Sequence, residues 1–405
     1  MESVPYNTGM MNSELNLLQP YPFEKLRALL EGITPADLHP ISLSVGEPKH
    51  PAPQLVLDAM TDSLRSMEKY PSIRGSDELR ECIANWLVQR FHLADAATLA
   101  ADHILPVNGT REGLFAIGQC VLDRHASKRS VLMPNPFYQI YEGAALLAGC
   151  EPKFYAIDED ADSNLASITD AQLDELQMIF VCTPGNPTGA VNSMASLQAL
   201  IERAHKHDFV IVSDECYSEI YRQTAGAPCG LLQAAYAMGL ETYDRCLAFH
   251  SLSKRSNLPG LRSGFVAGDA SLIKNFATYR TYQGCAMSGA VQSASIAAWS
   301  DEQHVTQNRT AYDDKYAAVV DILNTKLIVS TPPAGFYLWP SLPCDDQTFT
   351  QRLLSEQNVR AVPGSFLARA SDTSDQNTGT NRLRLALVAP LNDCITAAHR
   401  IIQCL

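Results

Sequence analysis

S-L-S-K-R-S-N-L-P-G-L-R-S-G, residues Ser251 to Gly264, follows directly on the apolar run Cys246 to Phe249. A run of that kind ending in a small, polar loop reads as a strand that opens at the carboxyl edge of a sheet, where open α/β sheets bind their ligands. Lys254 is therefore the candidate for chemistry. An amine that attacks a carbonyl must spend part of its time uncharged, and desolvation or neighbouring cations favour that state. Ser251, Ser253 and Arg262 are donors of the kind a phosphate takes, two hydroxyls and a guanidinium able to bond two oxygens at once. A carbonyl and a phosphate on one small molecule point to pyridoxal 5′-phosphate. S-x-S-K by itself is common in solvated loops, so the surrounding chain has to decide.

Working outward, apolar runs that stop at small polar loops recur. Ile104 to Val107 stops at Asn108-Gly109-Thr110, which opens a helix carrying Leu114, Phe115, Ile117 and Val121. A turn feeding a helix start offers free amides and a positive dipole end to a phosphate, and it also serves as an ordinary cap. Val131 to Met133 ends at Pro134 to Tyr138, Met178 to Cys182 at Thr183 to Gly189, Phe209 to Val212 at Ser213-Asp214-Glu215, and Phe265 to Ala267 follows the lysine loop. Strand, loop and helix in alternation predict a mainly parallel sheet covered by helices on both faces. Before this region, Ile41 to Val45 reads as a strand stopping at Gly46, and helices are expected from Gln54 to about Met67 and from Asp77 to Val88. After it, strand-like runs at Gly335 to Trp339, Val359 to Val362 and Leu383 to Val388 surround a polar insertion, Ser371 to Thr380, read as a surface loop. The expected division is a large cofactor domain, 51–290, and a smaller α/β domain from both chain ends, 1–50 and 291–405.

The 405 residues suit two domains. With 46% hydrophobic and 19% charged residues the composition is that of a globular protein. Thirty-one basic against 44 acidic residues, a net charge of −13, argue against nucleic acid or an anionic membrane as partner. The eleven cysteines lack C-x-x-C spacing, and Cys120, Cys182 and Cys246 lie in apolar runs, as reduced buried thiols do. Cys182 and Cys285 are candidates for the neighbourhood of a site. No cluster suggests a metal. Met1 to Gly9 lacks a basic start with an apolar core, and no run approaches the ~18 apolar residues of a membrane span, so a soluble cytoplasmic protein is expected.

In chain order, Asn108-Gly109-Thr110, Tyr138, Asn186, Asp214, Tyr217, Ser251, Lys254, Arg262 and Arg384 resemble the active-site set of the fold-type I, class I/II aminotransferases. The most specific strings are the lysine stretch, T-P-G-N-P-T-G at Thr183 to Gly189, D-E-C-Y at Asp214 to Tyr217 and R-L-A-L at Arg384 to Leu387. The resemblance implies an aspartate-aminotransferase-like fold and a pyridoxal-phosphate enzyme. Lys254 would then hold the cofactor and move a proton, with Asp214 facing the pyridine nitrogen. Asn186 and Tyr217 would donate to the phenolic oxygen, and Tyr138 would stack on the ring, with a core tyrosine as its competing role. Gly109, Thr110, Ser251, Ser253 and Arg262 would bind the phosphate. Arg384 would clamp the substrate α-carboxylate beside Gly46, and Arg382, two residues away, shares its face by alternation. Tyr70 would reach the partner subunit's phosphate, which implies a homodimer with shared sites.

Four longer strings are most similar to N-succinyldiaminopimelate aminotransferases of lysine synthesis: Gln19 to Arg27, Ser253 to Asp269, Tyr279 to Ser288 and Pro363 to Arg369. That implies glutamate as amino donor and a succinylated keto acid as acceptor. A distal carboxylate asks for a cation, for which Arg280, with Lys25 behind it, is the candidate; a surface salt bridge is the competing role for either. The same residues suit β-elimination, as in related C-S lyases. A non-catalytic cofactor-binding regulator fits less well, since no DNA-binding segment is appended and the charge is acidic.

Overall fold

The computed structural model describes residues 12–93, 95–371 and 374–405, so the opening residues read for a targeting signal lie outside it. Successive apolar residues along the inner strands part to opposite faces of one sheet. Ile179, Ile211, Ala248 and Phe265 join the core on one face, with Leu79, Ile83 and Trp299. Met178, Phe180, Val212, Leu247, Phe249 and Val266 join the core on the other, with Leu114 and Ile117. Burial on both faces is what a parallel sheet requires. The order across its seven strands is Ile104–Val107, Gly264–Gly268, Cys246–Ser251, Val210–Asp214, Leu176–Cys182, Ser130–Asn135 and Glu151–Ala156. Gly264–Gly268 alone runs antiparallel to its neighbours.

The smaller unit forms round a three-stranded antiparallel sheet, Val362–Pro363, Leu383–Ala386 and Tyr337–Leu338. Ile41–Ser42 pairs in parallel with Val359–Arg360, and the amide of Ala386 donates to the carbonyl of Leu43 at 2.8 Å. That seam brings the N-terminal strand, with Gly46 just beyond it, alongside Arg384.

Three expectations change. The helix Gly289–Trp299 belongs to the large unit: its Ala294, Ala298 and Trp299 are buried in the first core, against Gln54–Asp62 and Asp77–Phe91. The boundary moves from residue 291 into the helix Gln303–Leu323, whose Tyr316, Val319 and Leu323 enter the small core. At the other end, Ser13–Leu17 packs on the helix Gln139–Leu147 of the large unit, and Glu14 pairs with Arg124 at 3.2 Å. Part of the polar insertion is strand rather than loop, since Ala370–Ser371 pairs with Ser374–Asn377. Among the described residues no helix is long and apolar enough to cross a membrane. All eleven cysteines are unbridged.

Candidate active site

A cavity of about 470 Å³ opens at the carboxyl edge of the sheet, between the two units. Of the residues expected there, Gly46, Thr110, Tyr138, Asn186, Asp214, Tyr217, Ser251, Ser253, Lys254, Arg262 and Arg384 line it. Long strands place them. Val210–Asp214 ends on Asp214, and Cys246–Ser251 runs two residues beyond the expected end, so Lys254 stands on one turn of helix, Leu252–Arg255, rather than on a loop. Ser251 caps that turn, its hydroxyl accepting from the amide of Ser253 at 3.1 Å.

Lys254 points from the large unit to the small one, its ammonium donating to the carbonyl of Gly46. Burial lowers its pKa to about 8, since no carboxylate pairs with it closely enough to offset desolvation. Asp214 is buried, and burial pushes its carboxyl above the usual range. The Tyr141 hydroxyl donates to Oδ2 at 2.6 Å and the Cys216 amide reaches Oδ1 at 3.3 Å, leaving lone pairs for a cationic partner. Arg384, 5% exposed, donates to Asn186 Oδ1 at 3.3 Å and to the Ser44 carbonyl at 2.9 Å. Because the amide oxygen of Asn186 is turned to Arg384, its NH₂ group is left to donate elsewhere.

The phosphate candidates gather at the other end. Gly109, with φ of 86°, caps the helix Thr110–Val121. A Cβ there would stand 2.3 Å from Arg262 Nη2, so only glycine lets the guanidinium lie across the turn. Arg262 is braced by the Pro259 carbonyl at 2.8 Å. A helix start, two serine hydroxyls and a guanidinium form a donor set for a phosphate, and the amine of Lys254 and the buried carboxylate of Asp214 line the same cavity. These residues fit pyridoxal 5′-phosphate.

Some expectations are corrected. Arg280 is 1% exposed, turned away from the cavity, with Nη1 at 2.8 and 2.7 Å from the two carboxylate oxygens of Glu112. Lys25 lies near Arg369 and Glu142, outside the cavity lining. Arg382 precedes its strand and donates to the Trp339 carbonyl at 3.1 Å, so alternation did not carry it into the site. Cys182 lines the cavity, whereas the carbonyl of Cys285 accepts from Arg280 at 3.4 Å. Tyr70 is fully exposed in the single chain.

Other lining residues were not foreseen. Tyr337 meets the Tyr217 hydroxyl at 3.0 Å, and its ring lies 4.7 Å from the Arg384 guanidinium carbon. Arg111 stands at the mouth, donating to the hydroxyls of Tyr138 at 2.7 Å and Tyr21 at 3.2 Å. Tyr141 had a signal, lying three residues after Tyr138 and so on the same side of the helix Gln139–Leu147. Tyr337 and Arg111 had none beyond adjacency to recognised motifs.

Residues 39–401 match the model of the family described as aminotransferase class I and II. The chain belongs to this family. It is a transaminase of fold type I, and its cofactor is pyridoxal 5′-phosphate. An aminotransferase from Neisseria meningitidis Z2491, solved by crystallography, is similar with a TM-score of 0.91 at 45% identity, covering 97% of this chain and 99% of that one. The LL-diaminopimelate aminotransferase of Maridesulfovibrio salexigens is 29% identical over 367 residues, 88% of this chain and 92% of its own. A probable N-succinyldiaminopimelate aminotransferase from Thermus thermophilus shares the fold, with a TM-score of 0.81 at 24% identity and coverage of 97% of this chain and 100% of that one.

Proposed function

We propose that this aminotransferase moves the amino group of glutamate onto N-succinyl-2-amino-6-ketopimelate in lysine synthesis, working in the cytoplasm as a homodimer. The observation that carries the reading is the second guanidinium, Arg111, held at the cavity mouth by Tyr138 and Tyr21. With Arg384 in the depth and Arg111 at the entrance, the site has one cation for an α-carboxylate and another for a distal one. Arg111 takes the role first expected of Arg280. A volume of about 470 Å³ is ample for a cofactor and an extended acyl amino acid. A relative named for LL-diaminopimelate supports the same carbon skeleton.

When bound, pyridoxal 5′-phosphate supplies an aldehyde that condenses with amines and a ring that takes up the electron pair released at the substrate Cα. Arg384 then fixes the α-carboxylate, which orients the Cα–H bond toward Lys254. Lys254 Nζ, its pKa lowered to about 8 by burial, would take the Cα proton and deliver it to the carbon that joins the amine to the bound group. Asp214, steadied by Tyr141, would hold the proton on the ring nitrogen of the bound group. Tyr217, its hydroxyl 3.0 Å from that of Tyr337, would donate to the phenolic oxygen of the bound group, as would Asn186 Nδ2.

A glutamate-coupled screen of keto acids tests the reading, using the succinylated pimelate acceptor, its acetylated analogue and short aliphatic keto acids. The succinylated acceptor should give the highest kcat/KM. Arg111→Gln should lower that value by about tenfold or more, with less effect on the acetylated acceptor, which lacks the terminal carboxylate. A succinylated acceptor no better than the acetylated one sinks the assignment. Turnover of unacylated LL-diaminopimelate, which the same relative's name favours, is the second reading, and the screen includes it as amino donor.

A further inference from the structure

Glu112 is the third residue of the helix Thr110–Val121, and its carboxylate curls back so that Oε1 accepts the Asn108 amide at 2.7 Å. This reach-back fixes the turn Asn108 to Thr110, as an acidic residue in the first turn of a helix commonly does. It also puts a negative charge next to a turn suited to a dianionic phosphate, where like charges repel. Arg280 resolves the conflict. From the last turn of the helix Ala270–Gln283 it brings Nη1 to both oxygens of Glu112, at 2.8 and 2.7 Å, while the Phe276 ring, 5.5 Å away, shields it from solvent.

We infer that Arg280 is a positioning residue for the cofactor phosphate: it neutralises Glu112 and holds the carboxylate on the Asn108 amide, setting both the charge and the shape of the phosphate turn. The inference rests on the reading that the phosphate binds at Asn108 to Thr110 with Arg262. It gives a use to part of the string Tyr279 to Ser288, for which the transamination steps have none.

The test measures equilibrium dissociation constants of the apoprotein for pyridoxal phosphate and for pyridoxal, which has no phosphate, by the absorbance of the bound aldehyde. Arg280→Met should weaken pyridoxal phosphate by about tenfold or more and pyridoxal by no more than about twofold. Arg280→Met combined with Glu112→Gln should recover most of the loss, because the uncompensated charge is gone. Equal weakening of both ligands, or no recovery in the double variant, overturns the inference. Arg262→Met serves as control: if it too leaves the preference for the phosphate intact, the phosphate site itself has been misassigned. Should Arg280→Met fail to fold, as thermal unfolding of the apoprotein will report, Glu112→Gln alone decides. It should bind pyridoxal phosphate within about threefold of wild type or tighter, and a tenfold loss confined to the phosphate ligand overturns the neutralising role.

Discussion

The hydroxyl of Tyr337 fills the space where a side chain on Gly46 would begin: a Cβ there would stand 1.8 Å from it. Gly46 belongs to the segment after the N-terminal strand and Tyr337 to the small sheet, and their contact closes the roof above Lys254. Three functional groups hang on this contact: the Gly46 carbonyl that accepts from Lys254, the Tyr217 hydroxyl and the guanidinium of Arg384.

Gly46→Ala must therefore push Tyr337 aside. We expect kcat/KM to fall by at least about tenfold, some 1.4 kcal/mol of transition-state stabilisation, with thermal unfolding lowered only slightly because the strand pairing is untouched. Steady-state kinetics beside a melting curve check it, and an unchanged kcat/KM would contradict the packing.

Arg384→Lys keeps the charge and loses the fork. A bidentate carboxylate clamp does not survive that exchange, so kcat/KM for glutamate should drop by about a hundredfold, chiefly through KM. Amines without an α-carboxylate should react as slowly as with wild type. Comparing glutamate with such an amine separates loss of the clamp from general damage.

Lys254 must be neutral to attack an aldehyde, and its folded pKa is lowered to about 8. The reactive form is therefore lost as pH falls through about 8 and is nearly complete above it. Stopped-flow capture of pyridoxal phosphate by the apoprotein should speed up about tenfold per pH unit below 8 and level off above. Lys254→Ala should show neither the aldehyde absorbance shift nor turnover. A rate still climbing at pH 10 would mean that burial does not perturb the amine.

Tyr70 is fully exposed in the single chain, beside the exposed Met67 and Leu64. If it acts across a dimer, Lys254→Ala and Tyr70→Ala subunits are each poor alone but form mixed dimers with one intact site. Random reassortment should restore about a quarter of wild-type activity. No gain on mixing, with exchange shown by a tagged subunit, would return Tyr70 to an unassigned surface residue.

The sheet was readable because the chemistry is local: an apolar strand followed by a polar loop marks itself, and Asp214, Asn186 and Lys254 come directly after such runs. Strand ends were less readable, since Ser251 and Asp214 are polar residues paired in the ladder. The domain boundary misled because Gly289–Trp299 is rich in small residues that pack closely between helices without an apolar stripe. Arg111 and Arg280 show the limit for charges. Both are arginines close to motif residues, and only the long-range pairing of Arg280 with Glu112 reveals which one faces the cavity.

The antiparallel strand Gly264–Gly268 sets Ser251 directly opposite Gly264. Lys254 and Arg262 are thus carried on one excursion whose two feet are bonded together on the sheet, so the span from the amine proposed for the aldehyde to the guanidinium proposed for the phosphate is a gauge cut from a single piece of chain. The grip on the substrate is cut from other pieces, Gly46, Tyr337 and Arg384. A shift of those pieces would then move the α-carboxylate, and the Cα next to it, against a cofactor site whose own span is fixed, so the seam between the units sets the alignment of the reacting bond.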